Sequence, residues 1–133
     1  MTDTVKKPVI LLVDDDPDFL FQLKHSIEKA GFIVAAQESE EDAEFWLKKN
    51  KPDLAIFDLM MERDDSGFVL AYHAKKVYPD LPVILLTAVA AETGRSFGME
   101  PDDPNRWIRA DLYLEKGLHH ENLIGHIHSL LNR

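Results

Sequence analysis

Five short apolar runs, separated by longer stretches with apolar residues at helical spacing, constrain the fold of this chain most. The first run, Val9–Val13, is apolar at every position, as expected for a strand buried on both faces of a sheet. Residues 54–57 and 83–86 have the same character, and residues 32–36 and 112–114 are two further strand candidates. The pattern therefore predicts five strands, most of them in the interior.

The stretches between the runs carry the signals with which helices begin and end. Pro17 suits the first turn of a helix, and Gly31 supplies a C-terminal stop. Ser39, followed three residues later by Asp42, resembles a capping box at the start of the next helix. Helical signals in these stretches favour a helix between successive strands.

Two more stretches, residues 67–78 and 121–131, have helical periodicity, whereas residues 88–110 do not. The repeated alternation of strand and helix predicts an α/β fold with a parallel sheet and helices on both faces. Residues 88–110 contain two glycines and two prolines, and we predict a long loop there with at most a short or irregular fourth helix.

Length and composition exclude several classes of protein. A chain of 133 residues suits one domain, and the absence of cysteine excludes disulfides, thiol catalysis and cysteine-based metal sites. The apolar run at Val9–Val13 is too short for a signal peptide or a membrane span, which predicts a cytoplasmic protein without membrane contact. A formal charge of −9 opposes contact with phosphate backbones, so no nucleic acid partner is expected.

Polar side chains capable of chemistry stand where several of the apolar runs end. Open α/β sheets form their sites at the carboxyl ends of the strands, so these side chains are expected to converge. They are Asp14, Asp15 and Asp16 after the first run, Asp58 after the third, Thr87 after the fourth and Lys116 after the fifth.

Such a set suits a cation and phosphoryl chemistry. Crowded aspartates repel one another, and hard oxygen ligands at this density suit Mg²⁺. An aspartate can also attack phosphorus to form an aspartyl phosphate, which needs mainly positioning and charge neutralisation, and Lys116 and Thr87 are suited to both. Asp16, immediately before Pro17, is interpreted instead as the cap of a helix.

With these residues in place, the chain resembles the response-regulator receiver family over residues 8–131. The motifs are LLVDDDPDF (residues 11–19), PDLAIFDLMM (52–61), PVILLTA (82–88) and LYLEKG (112–117). The resemblance implies a flavodoxin-like, doubly wound sheet in the order 2-1-3-4-5. It also implies a single receiver domain over residues 1–133 without an output domain.

The resemblance further implies a role for each residue of the site. Asp58 would be the phosphoacceptor, paired with Lys116, and Thr87 would bind the phosphoryl group once it is present. Tyr113 would be the aromatic residue that moves with Thr87 when the domain switches. The implied Mg²⁺ ligands are Asp14, Asp15, Asp58 and the backbone carbonyl of Met60.

The function implied is a phosphoacceptor switch in a two-component system or phosphorelay, which catalyses at most its own phosphorylation and dephosphorylation. Its partners would be a sensor histidine kinase or phosphotransfer protein, and a downstream protein target. One alternative is a Mg²⁺-dependent phosphatase or phosphotransferase, although such enzymes typically carry an aspartate where this chain has Met60. Another is a receiver-like binding module that is not phosphorylated.

Two of the departures from the family pattern lie in the loops that follow Asp58 and Lys116. Glu62 replaces a proline and Gly67 comes one residue late, so the 61–66 loop carries an insertion. Gly117 replaces the proline that usually follows Lys116, which predicts either a trans peptide with a rearranged turn or a strained cis bond. A C-terminal group of histidines lacks metal-binding spacing and is not favoured as a metal site.

Overall fold

The computed structural model describes residues 7–59, 61, 66–87 and 110–131. Within them, strands and helices alternate along the chain. The strands are β1 (Val9–Val13), β2 (Ile33–Gln37), β3 (Leu54–Asp58), β4 (Val83–Thr87) and β5 (Leu112–Glu115). The helices are α1 (Pro17–Lys29), α2 (Glu40–Lys49), α3 (Ser66–Val77) and α4 (His120–Leu131).

The five strands form one parallel sheet in the order β2-β1-β3-β4-β5. This confirms the predicted doubly wound, flavodoxin-like order. In the register of the sheet, Asp58 lies beside Leu86 and Thr87 lies beside Glu115. The polar residues at the ends of β3, β4 and β5 therefore share one edge of the sheet.

Helices cover both faces of this sheet, because alternate strand residues enter two separate cores. Each core contains fully buried aliphatic side chains, and burial of one such side chain stabilises the fold by about 1.5–3 kcal/mol. Helices α2 and α3 pack on one face against Leu11, Val13, Ala55, Phe57, Val83 and Leu85. Helices α1 and α4 pack on the other face against Ile10, Leu12, Leu54, Ile56, Ile84 and Leu86.

The helix signals seen in the sequence have the predicted effect. Ser39 is the N-cap of α2, and its hydroxyl accepts a hydrogen bond of 3.0 Å from the backbone N–H of Asp42. Gly31 follows the end of α1 with a φ of +104°, a left-handed conformation that favours glycine. These local signals fix where α1 ends and where α2 begins.

Four strands extend one residue beyond the apolar runs that predicted them. The ladder of β2 continues onto Gln37, and the ladders of β3, β4 and β5 continue onto Asp58, Thr87 and Glu115. The backbone ladder is indifferent to side-chain polarity, so polar site residues can be the last residues of buried strands. Hydrophobicity alone therefore places these strand ends one residue early.

Two further observations bear on the predictions. The loop and short or irregular helix predicted for residues 88–110 cannot be compared with the structure, because residues 88–109 lie outside the described part of the chain. In the described part of the chain, no helix combines the length and the hydrophobicity that crossing a membrane requires.

Candidate functional site

Three aspartates meet at the carboxyl edge of the sheet. Asp14 and Asp15 follow β1 directly, and Asp58 is the last residue of β3. One carboxylate oxygen from each lies within 4.8 Å of the others. Asp14 and Asp58 are only 1% and 5% exposed, whereas Asp15 is open to solvent. The predicted convergence of Asp14, Asp15 and Asp58 is thus observed.

Hydrogen bonds fix the chain that carries this acidic group. The backbone N–H of Asp14 donates to the carbonyl of Gln37 at 3.2 Å. The Asp14 carboxylate accepts from the backbone N–H of Asp16 at 2.9 Å. Asp16 turns its own carboxylate to the start of α1, where it accepts from Asp18 and Phe19. Asp16 is therefore the predicted helix cap.

Lys116 reaches this site from the turn after β5. Its ammonium lies 2.9 Å from Oδ2 of Asp14 and 3.4 Å from Oδ2 of Asp58. Its backbone N–H donates to the carbonyl of Thr87 at 2.9 Å, which ties the turn to the end of β4. The Lys116–Gly117 peptide is trans, the first of the two predicted alternatives.

Burial raises the proton affinity of both Asp14 and Asp58. Burial raises the pKa of Asp58 to about 6, the negative charge of Asp14 adds to this effect, and Lys116 opposes it. Burial also raises the pKa of Asp14, against the hydrogen bond from Asp16 and the charge of Lys116. Burial alone would lower the pKa of Lys116, but Asp14 and then Asp58 outweigh it and raise that pKa.

The site has the donor set of a divalent cation. Its three carboxylates face one ammonium group, which leaves an excess of negative charge. Oδ2 of Asp14 is buried and, apart from its ion pair with Lys116, has no hydrogen-bond partner among the described residues. Carboxylate oxygens with this excess of negative charge suit a cation, and hard oxygen donors of this kind fit Mg²⁺. The predicted ligand carbonyl of Met60 lies outside the described residues.

Thr87 and Tyr113 lie on adjacent strands, with Thr87 at the end of β4 and Tyr113 beside Leu85, two residues further from the strand ends. Thr87 is buried at the end of β4, next to the turn that carries Lys116. Tyr113 is half-buried in β5, where its ring lies 6.3 Å from the ring of Phe68 and packs against the core under α2 and α3. A threonine at the site and a neighbouring aromatic residue were both predicted from the sequence.

Two residues near the site were not assigned a role from the sequence. The ring of Phe19 lies 4.7 Å from the ammonium of Lys116. A Cβ on Gly67 would lie 2.7 Å from the carbonyl oxygen of Asp58 and 2.6 Å from Cα of Leu59, which is too close for any side chain. The signal for Phe19 was its place in the first turn after the three aspartates.

The C-terminal histidines form no metal site in the described residues. There the side chains that could share a metal ion are those of the three aspartates. His120 instead hydrogen-bonds to Ser26 at 2.6 Å, and His128 packs against the ring of Phe32. These contacts join α4 to α1 and to the start of β2.

Comparison with known proteins agrees with this geometry. The heme response regulator HssR of Staphylococcus haemolyticus is 35% identical over 125 residues, covering 92% of this chain and 51% of the relative. The transcriptional regulatory protein RprY of Bacteroides fragilis is 32% identical over 133 residues, covering 100% of this chain and 53% of the relative. The chain thus spans about half the length of the curated relatives it matches.

A solved structure has the same architecture. The response regulator TrrA from Thermotoga maritima, in complex with Mg²⁺ and BeF, is 27% identical with a TM-score of 0.77. The superposition covers 93% of this chain and 99% of that one. Residues 10–128 also match the family described as the response regulator receiver domain. The parallel sheet, the acidic edge and these similarities together mean that the chain belongs to the response regulator receiver domain family.

Proposed function

We propose that Asp58 accepts a phosphoryl group in a Mg²⁺-dependent reaction, and that this modification switches the surface around it. The observation that carries the proposal is the position of a buried carboxylate, Asp58, beside both an ammonium and two further carboxylates. Asp58 can supply a nucleophilic oxygen, Lys116 supplies a positive charge beside it, and the neighbouring carboxylates can bind a metal ion.

In the proposed reaction, an Asp58 oxygen forms a bond to phosphorus while the bond between phosphorus and the leaving group of the donor breaks. Mg²⁺ would be held by the carboxylates of Asp14, Asp15 and Asp58. When bound, it would neutralise charge on the phosphoryl oxygens. Lys116 offsets the remaining negative charge, because its ammonium already lies 3.4 Å from Asp58. Thr87 would donate its hydroxyl to a phosphoryl oxygen.

A phosphoryl group would change the balance of charge at the sheet edge. It brings about −1.5 to −2 charge and three acceptor oxygens, which Thr87 and Lys116 satisfy by shifting toward them. Since the backbone of Lys116 is bonded to that of Thr87, a shift of one is transmitted to the other. Tyr113 lies in β5, and β5 leads directly into the turn that carries Lys116. This connection supports the predicted role of Tyr113 in the switch.

The partners follow from the same chemistry. The phosphoryl donor is expected to be a sensor histidine kinase or a phosphotransfer protein, and the phosphorylated surface is expected to bind a downstream protein. The absence of nucleic acid binding, the cytoplasmic location and the single domain over residues 1–133 stay predictions. The relatives named above include a transcriptional regulatory protein, so nucleic acid binding is worth a direct test on this chain.

Labelling with a small phosphodonor tests the proposal. The purified protein is incubated with acetyl phosphate and Mg²⁺, and intact mass spectrometry reports the addition of one phosphoryl group. Asp58→Asn is expected to take no label, whereas Asp80→Asn, which removes an exposed carboxylate, is expected to label like the wild type.

Two other outcomes would favour the alternatives. Failure of the wild type to take label, with Mg²⁺ bound, would indicate a binding module that is not phosphorylated. Sustained release of inorganic phosphate from a generic phosphate ester, lost in Asp58→Asn, would indicate a phosphatase.

A further inference from the structure

Lys116 has a third neighbour besides its two carboxylates. Its ammonium lies 4.7 Å from the centroid of the Phe19 ring. A cation within about 6 Å of a ring centroid is attracted by the negative face of the ring, and the attraction grows as water is excluded. The Lys116 side chain is only 22% exposed, so this contact is partly shielded from solvent.

Phe19 is held in place independently of Lys116. The carboxylate of Asp16 accepts from the backbone N–H of Phe19 at 3.3 Å, within the cap that begins α1. The ring itself packs against the core formed by α1, α4 and the sheet. Asp16 in turn donates its backbone N–H to Asp14. One short segment therefore fixes both a carboxylate and an aromatic ring around the same ammonium.

The three contacts of Lys116 differ in how they respond to the proposed reaction. Metal binding to the carboxylates of Asp14 and Asp58 would weaken their attraction for the ammonium before the phosphoryl group arrives. Formation of the acyl phosphate on Asp58 would then give the ammonium phosphoryl oxygens to pair with. The ring of Phe19 takes no part in metal binding and keeps its negative face throughout.

We propose that Phe19 is a positioning residue, whose ring holds the Lys116 ammonium at the site while metal engages Asp14 and Asp58, so that the ammonium is in place when the phosphoryl group arrives. Lysine carries its charge on a flexible four-carbon stem, so an ammonium whose two carboxylate partners are engaged by metal would otherwise spread over many rotamers before phosphoryl transfer. An aliphatic side chain at position 19 fills similar space but presents no negative face to the cation. This inference rests on the proposed phosphorylation of Asp58.

The kinetic test compares leucine and tyrosine at position 19. Phe19→Leu is expected to slow labelling of Asp58 by acetyl phosphate about threefold to tenfold, the loss expected for one partly shielded cation–π contact. Phe19→Tyr, which keeps an aromatic face, is expected to recover most of the wild-type rate. The matched control is Phe21→Leu, the same substitution two residues along α1 at a ring that is 72% exposed. It is expected to label at the wild-type rate.

A second measurement reads the contact itself and does not depend on phosphorylation. In the wild type, the ring current of Phe19 is expected to shift the NMR signals of the Lys116 ε-methylene group upfield. That shift is expected to vanish in Phe19→Leu and to persist in Phe19→Tyr and Phe21→Leu.

The outcomes separate this inference from the proposed function. A wild type that takes no label, but shows the ring-current shift, sinks the phosphoacceptor function and with it the role of Phe19 in phosphorylation. A wild type that takes label at the same rate as Phe19→Leu leaves the phosphoacceptor intact and overturns the positioning role. An unshifted Lys116 signal in the wild type overturns the contact directly.

Discussion

The ammonium of Lys116 lies closer to Asp14 than to Asp58, with Nζ–Oδ2 distances of 2.9 Å and 3.4 Å. One positive charge is therefore shared between two buried carboxylates, and the expected phosphoacceptor has the longer contact. This unequal sharing agrees with the pKa of Asp58, which burial and Asp14 raise to about 6 despite the presence of Lys116.

The first prediction concerns stability in the absence of metal. The folded protein holds a proton on Asp58 up to about pH 6, whereas the unfolded chain releases it near the ordinary aspartate value. The folded state therefore loses stability as the pH rises from about 4 to about 6, and the full cost of ionising Asp58 is present above that window. The asparagine in Asp58→Asn cannot ionise. Its free energy of unfolding is therefore expected to exceed that of the wild type by about 1–3 kcal/mol near pH 7.5.

Urea unfolding in EDTA, followed by circular dichroism, measures this difference. It is expected to shrink as the pH falls toward about 4, because the wild-type carboxyl becomes neutral there. Asp80→Asn controls for the loss of one negative charge from an exposed position. A stability gap in Asp58→Asn that is the same at both ends of the pH range would contradict the prediction.

The second prediction concerns metal affinity. Lys116→Met removes the ammonium that competes with a cation for the carboxylates of Asp14 and Asp58. We expect Mg²⁺ to bind this variant more tightly than the wild type, by roughly threefold to tenfold, because a repulsive charge has left the site. Isothermal titration calorimetry gives the dissociation constants directly. The same variant is expected to take label from acetyl phosphate more slowly.

Lys75→Met provides the matched control for this charge change. Lys75 forms its ion pair with Asp111 at 2.9 Å, and Asp111 precedes β5 at the opposite edge of the sheet from the site. This variant is expected to bind Mg²⁺ like the wild type. Equal or weaker Mg²⁺ binding by Lys116→Met would mean that the ammonium does not compete with the cation.

The third prediction concerns the close approach of α3 to β3, the strand that ends in Asp58. Gly67→Ala would place a methyl group within 2.7 Å of the Asp58 carbonyl oxygen, so the backbone of α3 or β3 must move. We expect a loss of about 1–3 kcal/mol in the free energy of unfolding, together with slower labelling of Asp58. Chemical denaturation and the labelling assay measure the two effects.

Gly125→Ala is the control within a helix. Gly125 lies in α4, where an added Cβ meets nothing within 4 Å. Alanine is favoured over glycine inside a helix, so this variant is expected to be more stable by roughly 0.5–1 kcal/mol. A Gly67→Ala protein as stable as the wild type would show that the helix can retreat without cost.

Much of this architecture is readable in the sequence because it depends on local rules. Val9–Val13 is buried on both faces and contains no polar residue to confuse its assignment. Asp16 and Ser39 cap their helices through hydrogen bonds to residues two or three positions away. The convergence of Asp14, Asp58 and Lys116 follows from topology, because parallel strands end at the same edge.

The contacts that sequence reasoning did not find depend on side-chain direction and close packing between distant elements. Phe19 and Lys116 are far apart in the chain, and although the position of Phe19 soon after the three aspartates places it near the site, it does not indicate that the ring meets the ammonium. The preference of Lys116 for Asp14 over Asp58 is a difference of half an ångström in side-chain placement. Hydrophobic patterns carry no information at this scale.

The contact at Gly67 also affects how the connection between β3 and α3 can change in length. The backbone N–H of Gly67 donates to the carbonyl of Leu59 at 2.8 Å, so the two ends of the 60–66 connection are joined at its base. Adding residues to a closed loop costs little, because the entropy of closure grows only slowly with length. Strand β3 and α3 can therefore keep their mutual position while the connection between them gains or loses residues, which makes that connection a permissive point for insertion in evolution and in protein engineering.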